Sequence, residues 1–437
     1  MLMKLLAVPL MAGAAFGMSV EEAHRTIREE VQNYKGERLA GKSLCDQYSC
    51  CETQTDDCNL SDMPQDQTSL ILPGGESRCI FTDSTPYAAQ VIPGDSDKLL
   101  VYFQGGGACW DETSTKLKFC TTDSSPSSLN GIFNRDDPKN VHKDYTVVQM
   151  LYCSGDVFGG NVTQAYTDSS GNLVKQMGLT NVQMTLDWIV AQQKSGQLAP
   201  KLADLVVAGC SAGSLGAQLW GNQVVNQLSW DKASIMPDSY AGLFAPGVEG
   251  PLVKDYGFCT SGFLNQANTD KCNAGDITMR DIDQQFLGDR PDVAYAFIQS
   301  KTDSVQESFY IATAESMGQP AEITPTEFYE GITEIFESYN AYPNFVTYLV
   351  DGSQHCFTPS SVYYSADAMG PKDDGSSNTG PVMVDWVGAS IPMTEGKAID
   401  TVCEGEVTTG NSKGVGIGDD NTYCAADLVG KTFTEHY

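Results

Sequence analysis

Two hydrophobic periodicities alternate along the chain. Short, continuous apolar runs rich in β-branched and aromatic residues occur at K-L-L-V-Y-F (98–103), T-V-V-Q-M-L (146–151), L-V-V-A (205–208), V-A-Y-A-F-I-Q (293–299) and F-V-T-Y-L-V (345–350). Runs of this kind read as strands covered on both faces. Between them, N-V-Q-M-T-L-D-W-I-V-A-Q-Q (181–193), A-G-S-L-G-A-Q-L-W-G-N-Q-V-V-N-Q-L (212–228) and T-E-F-Y-E-G-I-T-E-I-F-E-S-Y-N (326–340) repeat apolar residues at helical spacing. Strands separated by helices predict an α/β fold with a mostly parallel central sheet and helices on both faces. There is no internal repeat, and the polar, Gly/Ser-rich stretch 371–380 reads as a surface loop. The expected organisation is one catalytic-size domain over 61–437, preceded by a cysteine-rich extension over 18–60.

Composition supports a globular chain: 437 residues, 41% hydrophobic and 19% charged. Acidic residues outnumber basic ones 56 to 26, a formal charge of −30, and no Lys/Arg-rich stretch exists. Nucleic acid and anionic membrane surfaces are therefore poor partners. Lys4, the apolar run Leu5 to Phe16, and the small residues Ala15 and Gly17 form the pattern of a secretory signal peptide over 1–17, too short to span a bilayer. The C-terminal G-K-T-F-T-E-H-Y is too polar for a lipid-anchor tail. Fourteen cysteines in an exported chain predict disulfides. Cys45, Cys50, Cys51 and Cys58 read as a stapled loop and lack zinc spacing; Cys259 with Cys272, and Cys403 with Cys424, are each placed to close a short loop. Asn59 and Asn161 head glycosylation sequons.

The chemistry centres on Gly209-Cys210-Ser211-Ala212-Gly213, a G-x-S-x-G set between a strand and a helix, where a nucleophile elbow belongs. A serine hydroxyl needs a base, and the chain has four histidines. His24 and His436 sit near the two ends of the exported chain and are expected to be mobile. His142 precedes the serine, against the Ser, Asp, His order of this arrangement. His355 remains, just past a strand and the turn D-G-S-Q. Of the acids between Ser211 and His355, Asp303 is the best placed to orient the imidazole, with Asp351 second. F-Q-G-G-G-A-C-W (103–110) follows a strand, and Gly105, Gly106 and Gly107 allow backbone N–H groups close to a substrate carbonyl; the N–H of Ala212 would complete an oxyanion hole. No G-K-[ST] follows these glycines, so a phosphate loop is disfavoured. The chemistry requires no metal or organic cofactor.

These segments, with Y-C-S-G-D-V-F-G-G (152–160), S-K-T-D-S-V-Q (300–306) and S-Q-H-C-F (353–357), resemble in order the motifs of the pectin acetylesterase family, which includes Notum-type carboxylesterases. The resemblance implies an α/β-hydrolase fold, a triad at Ser211, Asp303 and His355, and an oxyanion hole at Gly106, Gly107 and Ala212. It also implies a monomeric extracellular serine esterase acting on O-acetyl groups of a pectin-like polysaccharide. A Notum-type fatty-acyl esterase, or an inactive binding protein with the same fold, are the alternatives. Ala108 stands where plant members have tryptophan, and Phe158 where microbial members often have histidine; both departures concern the pocket wall.

Overall fold

The computed structural model describes residues 17–34, 43–365 and 382–390, with the backbone of five two-residue strands between 399 and 433. The strands in chain order are β1 (Ser49–Glu52), β2 (Ser69–Leu72), β3 (Ala89–Ile92), β4 (Asp95–Phe103), β5 (Tyr145–Met150), β6 (Val162–Thr167), β7 (Leu173–Gln176), β8 (Leu202–Cys210), β9 (Trp230–Asp238), β10 (Ala294–Ser300) and β11 (Phe345–Val350). The helices are α1 (Val20–Asn33), α2 (Glu112–Leu117), α3 (Gly178–Ser195), α4 (Ala212–Gln227), α5 (Glu249–Asp255), α6 (Gln266–Ala274), α7 (Met279–Asp289), α8 (Ser304–Ser316), α9 (Pro325–Tyr339) and α10 (Met383–Ser390).

The main sheet runs β1-β2-β3-β5-β4-β8-β9-β10-β11, with Val402–Cys403 added beyond β11. Only β3 opposes its neighbours, pairing antiparallel with β2 and β5. Counted from β2 in chain order, the strands lie 1-2-4-3-5-6-7-8 with the second reversed, which is the α/β-hydrolase arrangement. The expected mostly parallel α/β sheet is thus present.

Period-two alternation sends the two sides of each strand into separate cores. Leu99, Val101, Phe103, Leu205, Val207 and Ile235 face a large cluster that also holds buried residues of α1, α3, α4, α7, α8 and α9. Leu100, Tyr102, Val206, Ala208, Met236 and Ile298 face the other side, where Trp386 and Val387 of α10 close over them. Burial on both faces explains why β5, β10 and β11 read as unbroken apolar runs.

Two elements escape the apolar pattern. β9, W-D-K-A-S-I-M-P-D, starts charged and ends Pro-Asp, yet it is buried from Ala233 onward because it lies between β8 and β10. The second is α1, inside the stretch read as an extension. Ala23, Ile27 and Val31 lie on one helical face and are wholly buried, and the helix packs along α8. His24 is accordingly not mobile: its Nε2 lies 2.9 Å from Glu315 Oε2 on α8, and its ring packs 5.0 Å from Phe119.

Disulfides join Cys45 to Cys50 and Cys51 to Cys58 within the cysteine cluster, Cys259 to Cys272 as their spacing suggested, and also Cys79 to Cys153, Cys109 to Cys120 and Cys210 to Cys356. Such bonds belong to oxidising compartments. Residues 1–16 of the signal segment, the whole 371–380 loop, His436 and the side chains of Cys403 and Cys424 lie outside the described residues. Among the described residues no helix is long and apolar enough to cross a membrane.

Ile27→Ala removes a fully buried side chain from the face that docks α1. The expected cost is about 3 kcal/mol, read as a lower urea midpoint; an unchanged midpoint would mean that α1 is a detachable appendage.

Candidate active site

β8 ends at Cys210 and α4 begins at Ala212, so the single residue Ser211 makes the whole turn. Its backbone is left-handed, φ 60° and ψ −124°. A non-glycine residue held there costs on the order of 1–3 kcal/mol and persists only where its surroundings impose it. Here the surroundings do. Ser211 N–H donates to Asp238 O at 3.1 Å, and Ser214 N–H donates to Ser211 O at 2.9 Å. A Cβ on Gly209 would run into the Gly213 carbonyl, and one on Gly213 into the Phe103 carbonyl. Only glycines let the strand, the helix and β4 come so close.

Asp303 follows β10 and is fully buried as the N-cap of α8, its Oδ1 accepting from the N–H groups of Val305 and Gln306 at 3.0 Å each. Gln306 Nε2 donates to Oδ2 at 2.9 Å. This fixed carboxylate meets His355 Nδ1 at 2.8 and 3.0 Å. The imidazole side chain is 4% exposed. Burial works against its charge, but the charge and hydrogen bond of Asp303 win, aided by Glu30 and Asp238, and the pKa rises to about 9. His355 Nε2 has no hydrogen-bond partner among the described residues, Ser211 Oγ included, and lies 3.8 Å from Glu30 Oε1 on α1. Asp351, the second candidate, instead pairs with Lys301 Nζ at 2.7 Å.

Cys210, just before Ser211, is bonded to Cys356, just after His355, with the two Cα atoms 5.7 Å apart. The elbow and the histidine loop are therefore tied covalently. Asp238 ties them a second time. Its Oδ2 accepts from the N–H groups of Phe357 (2.9 Å) and Thr358 (2.7 Å), while Ser239 Oγ accepts from Cys356 N–H at 2.9 Å. Sequence reasoning missed this aspartate because it missed β9. The cysteine pair left a visible trace, G-C-S and H-C, in the residues flanking Ser211 and His355.

The glycine loop leaves β4 beside the elbow. Gly106 (φ 146°) and Gly107 (φ 75°) have backbones that favour glycine. The loop is backed by 119–121, where Ala108 N–H donates to Phe119 O and Thr121 N–H to Gly106 O, and is stapled by Cys109–Cys120. Ala212 is the first residue of α4, so its N–H has no acceptor within the helix. A cavity of about 70 Å³ accessible to the centre of a water molecule opens at Ser211, Ala212 and Gly107, between the apolar side chains of Ala108, Trp110, Leu215, Leu219, Phe258 and Phe309. Glu249 also borders it, and burial pushes its pKa up to about 8, so it is neutral at pH 7. Phe158 lies behind this wall, against Phe103 and Tyr152.

The arrangement can activate a hydroxyl and hold a developing oxyanion. His142 is elsewhere: it precedes the start of β5, at the opposite ends of the parallel strands from the elbow, and burial lowers its pKa to about 3. Among the described residues the grouping closest to a metal site is Cys210, His355 and Cys356, and the disulfide consumes both sulfurs.

The Pectinacetylesterase family model matches residues 83–274, a span holding the glycine loop and the elbow. No curated protein matches the chain. Two crystal forms of the Wnt deacylase Notum from Drosophila are similar to it. One is 18% identical over 70% of this chain and 88% of that one, with a TM-score of 0.48. The other is 15% identical over 72% and 91%, with a TM-score of 0.44.

If His355 acts as a base it must be neutral, so kcat/KM for ester hydrolysis should climb with pH and reach half its plateau near 9. The same raised pKa adds folding stability that is complete below about 6.5 and lost as pH rises through about 9. An activity plateau already reached at pH 6 would contradict this electrostatic picture.

Proposed function

The chain carries a pectinacetylesterase-family segment over residues 83–274, and on that premise we propose that it is an exported, monomeric serine carboxylesterase removing O-acyl groups from polysaccharide hydroxyls. The observation that carries the reading is the placement, past the carboxyl ends of β8, β10 and β11, of a left-handed serine and a buried imidazole anchored by a carboxylate.

In the proposed reaction His355 Nε2 takes the proton of Ser211 Oγ as the oxygen attacks the ester carbonyl. The N–H groups of Gly106, Gly107 and Ala212 hold the oxyanion, each contributing roughly 3 kcal/mol in the transition state. The imidazolium, steadied at Nδ1 by Asp303, gives its proton to the leaving alkoxide. Water, deprotonated by the same nitrogen, then releases the acid from Ser211. The anchored Nδ1 supports this division of labour, since it leaves Nε2 as the nitrogen that moves protons. Acetyl esters of a pectin-like polymer are the substrate that the family name suggests.

The apolar cavity favours a second reading of the acyl group. One water needs roughly 10–15 Å³ of such space. The 70 Å³ here therefore holds about five heavy atoms, more than an acetyl group fills. A butanoyl group, with five heavy atoms, matches that space.

On p-nitrophenyl esters, kcat/KM should rise from acetate to butanoate and fall at octanoate. Ser211→Ala should lose at least about a thousandfold in kcat while remaining folded. Undiminished turnover in Ser211→Ala would refute the nucleophile, and absence of any turnover in the wild type would favour a binding protein.

A further inference from the structure

An acyl transfer divides the site in two. The acyl group must sit with the nucleophile and the oxyanion donors, whereas the leaving alcohol must sit where the imidazole can hand it a proton. The apolar cavity touches Ser211, Ala212 and Gly107 and does not touch His355. A second, larger cleft of about 830 Å³ does touch His355, and is lined also by Glu30, Tyr34, Gln47, Tyr48, Gln104 and Gln354. Its position makes it the alcohol side.

The wall chemistry of that cleft is selective. Primary amides offer both donors and acceptors, and tyrosines offer a flat apolar face with a hydroxyl, a combination suited to a polyol ring. Among the described residues of the lining, the charged side chain other than His355 is Glu30. Its side chain is 11% exposed, and Oε1 stands 3.8 Å from His355 Nε2, the nitrogen that the proposed mechanism uses to protonate the leaving oxygen. Asp303, at the start of α8, and Asp238, at the end of β9, also act on the same imidazole without lining the cleft. Lys301, the nearby cation, is fully buried and paired with Asp351.

Resting on the esterase reading, we propose that Glu30 restricts the alcohol side to uncharged, hydroxyl-rich units. Acyl groups are then removed from neutral sugars and from methyl-esterified uronates, while free uronates are rejected. Glu30 accepts hydrogen bonds from the hydroxyls of a neutral sugar and repels the carboxylate of an ionised one.

The test uses two samples of one acetylated pectin with equal O-acetyl content, one methyl-esterified and one enzymatically demethylated. Acetate release is measured in roughly 0.5 M salt, where the Debye length is only a few ångströms and the protein's overall charge is screened. The wild type should show about tenfold higher kcat/KM on the methyl-esterified sample, and Glu30→Gln should bring the two within about twofold. Comparing two polymers at one pH cancels any effect of Glu30 on the proton affinity of His355. Equal or faster release from the demethylated sample by the wild type overturns the proposal, as does an unchanged ratio in a folded Glu30→Gln. Failure of the esterase reading itself is separate, since it would appear as no turnover of p-nitrophenyl acetate by the wild type.

Discussion

The left-handed backbone of Ser211 is the constraint around which the site is arranged. A residue with a β-carbon is forced to φ 60° only because β8 must end and α4 must begin within one residue. Gly209 and Gly213 make that turn sterically possible, and the carbonyls of Phe103 and Gly213 show how little room is left. The strain is stored where the strand ends open toward a cleft, which is where α/β sheets concentrate function.

β9 supplies the second half of this constraint. The backbone oxygen of Asp238 accepts from Ser211 N–H, and its carboxylate accepts from the backbone just after His355. One buried residue therefore positions two loops that are far apart in sequence. The Cys210–Cys356 bond repeats the connection covalently across 146 residues. In the chain-entropy view a cross-link of that span is worth about 5 kcal/mol against the unfolded state. It also limits how far the His355 loop can move from Ser211; the serine follows β8, while Asp303 and His355 follow β10 and β11, with β9 between them.

Much of this was legible in the chain because burial on both faces leaves a strong signal. β4, β8, β10 and β11 appear as apolar runs, and the turn after each carries a residue of the proposed site: the glycines, Ser211, Asp303 and His355. With four histidines, elimination led to the imidazole that the structure places against Asp303. What stayed hidden depends on tertiary position. β9 is buried despite Asp231, Lys232 and Pro237, because its neighbours cover it. α1 has a clear apolar face in Ala23, Ile27 and Val31, but nothing local says that the face docks beside α8 and delivers Glu30 to the imidazole. Cysteine pairing across 146 residues is likewise a property of the folded chain.

The electrostatics unite the account: an acidic protein places further carboxylates around the His355 imidazole and so raises its affinity for a proton. The central claim, that Ser211 is an activated nucleophile, is tested most directly by covalent capture. Incubation with a fluorophosphonate followed by peptide mass spectrometry should place one adduct per chain on the peptide containing Ser211, faster at pH 9 than at pH 6. An unlabelled Ser211 peptide in the folded protein at both pH values would contradict it.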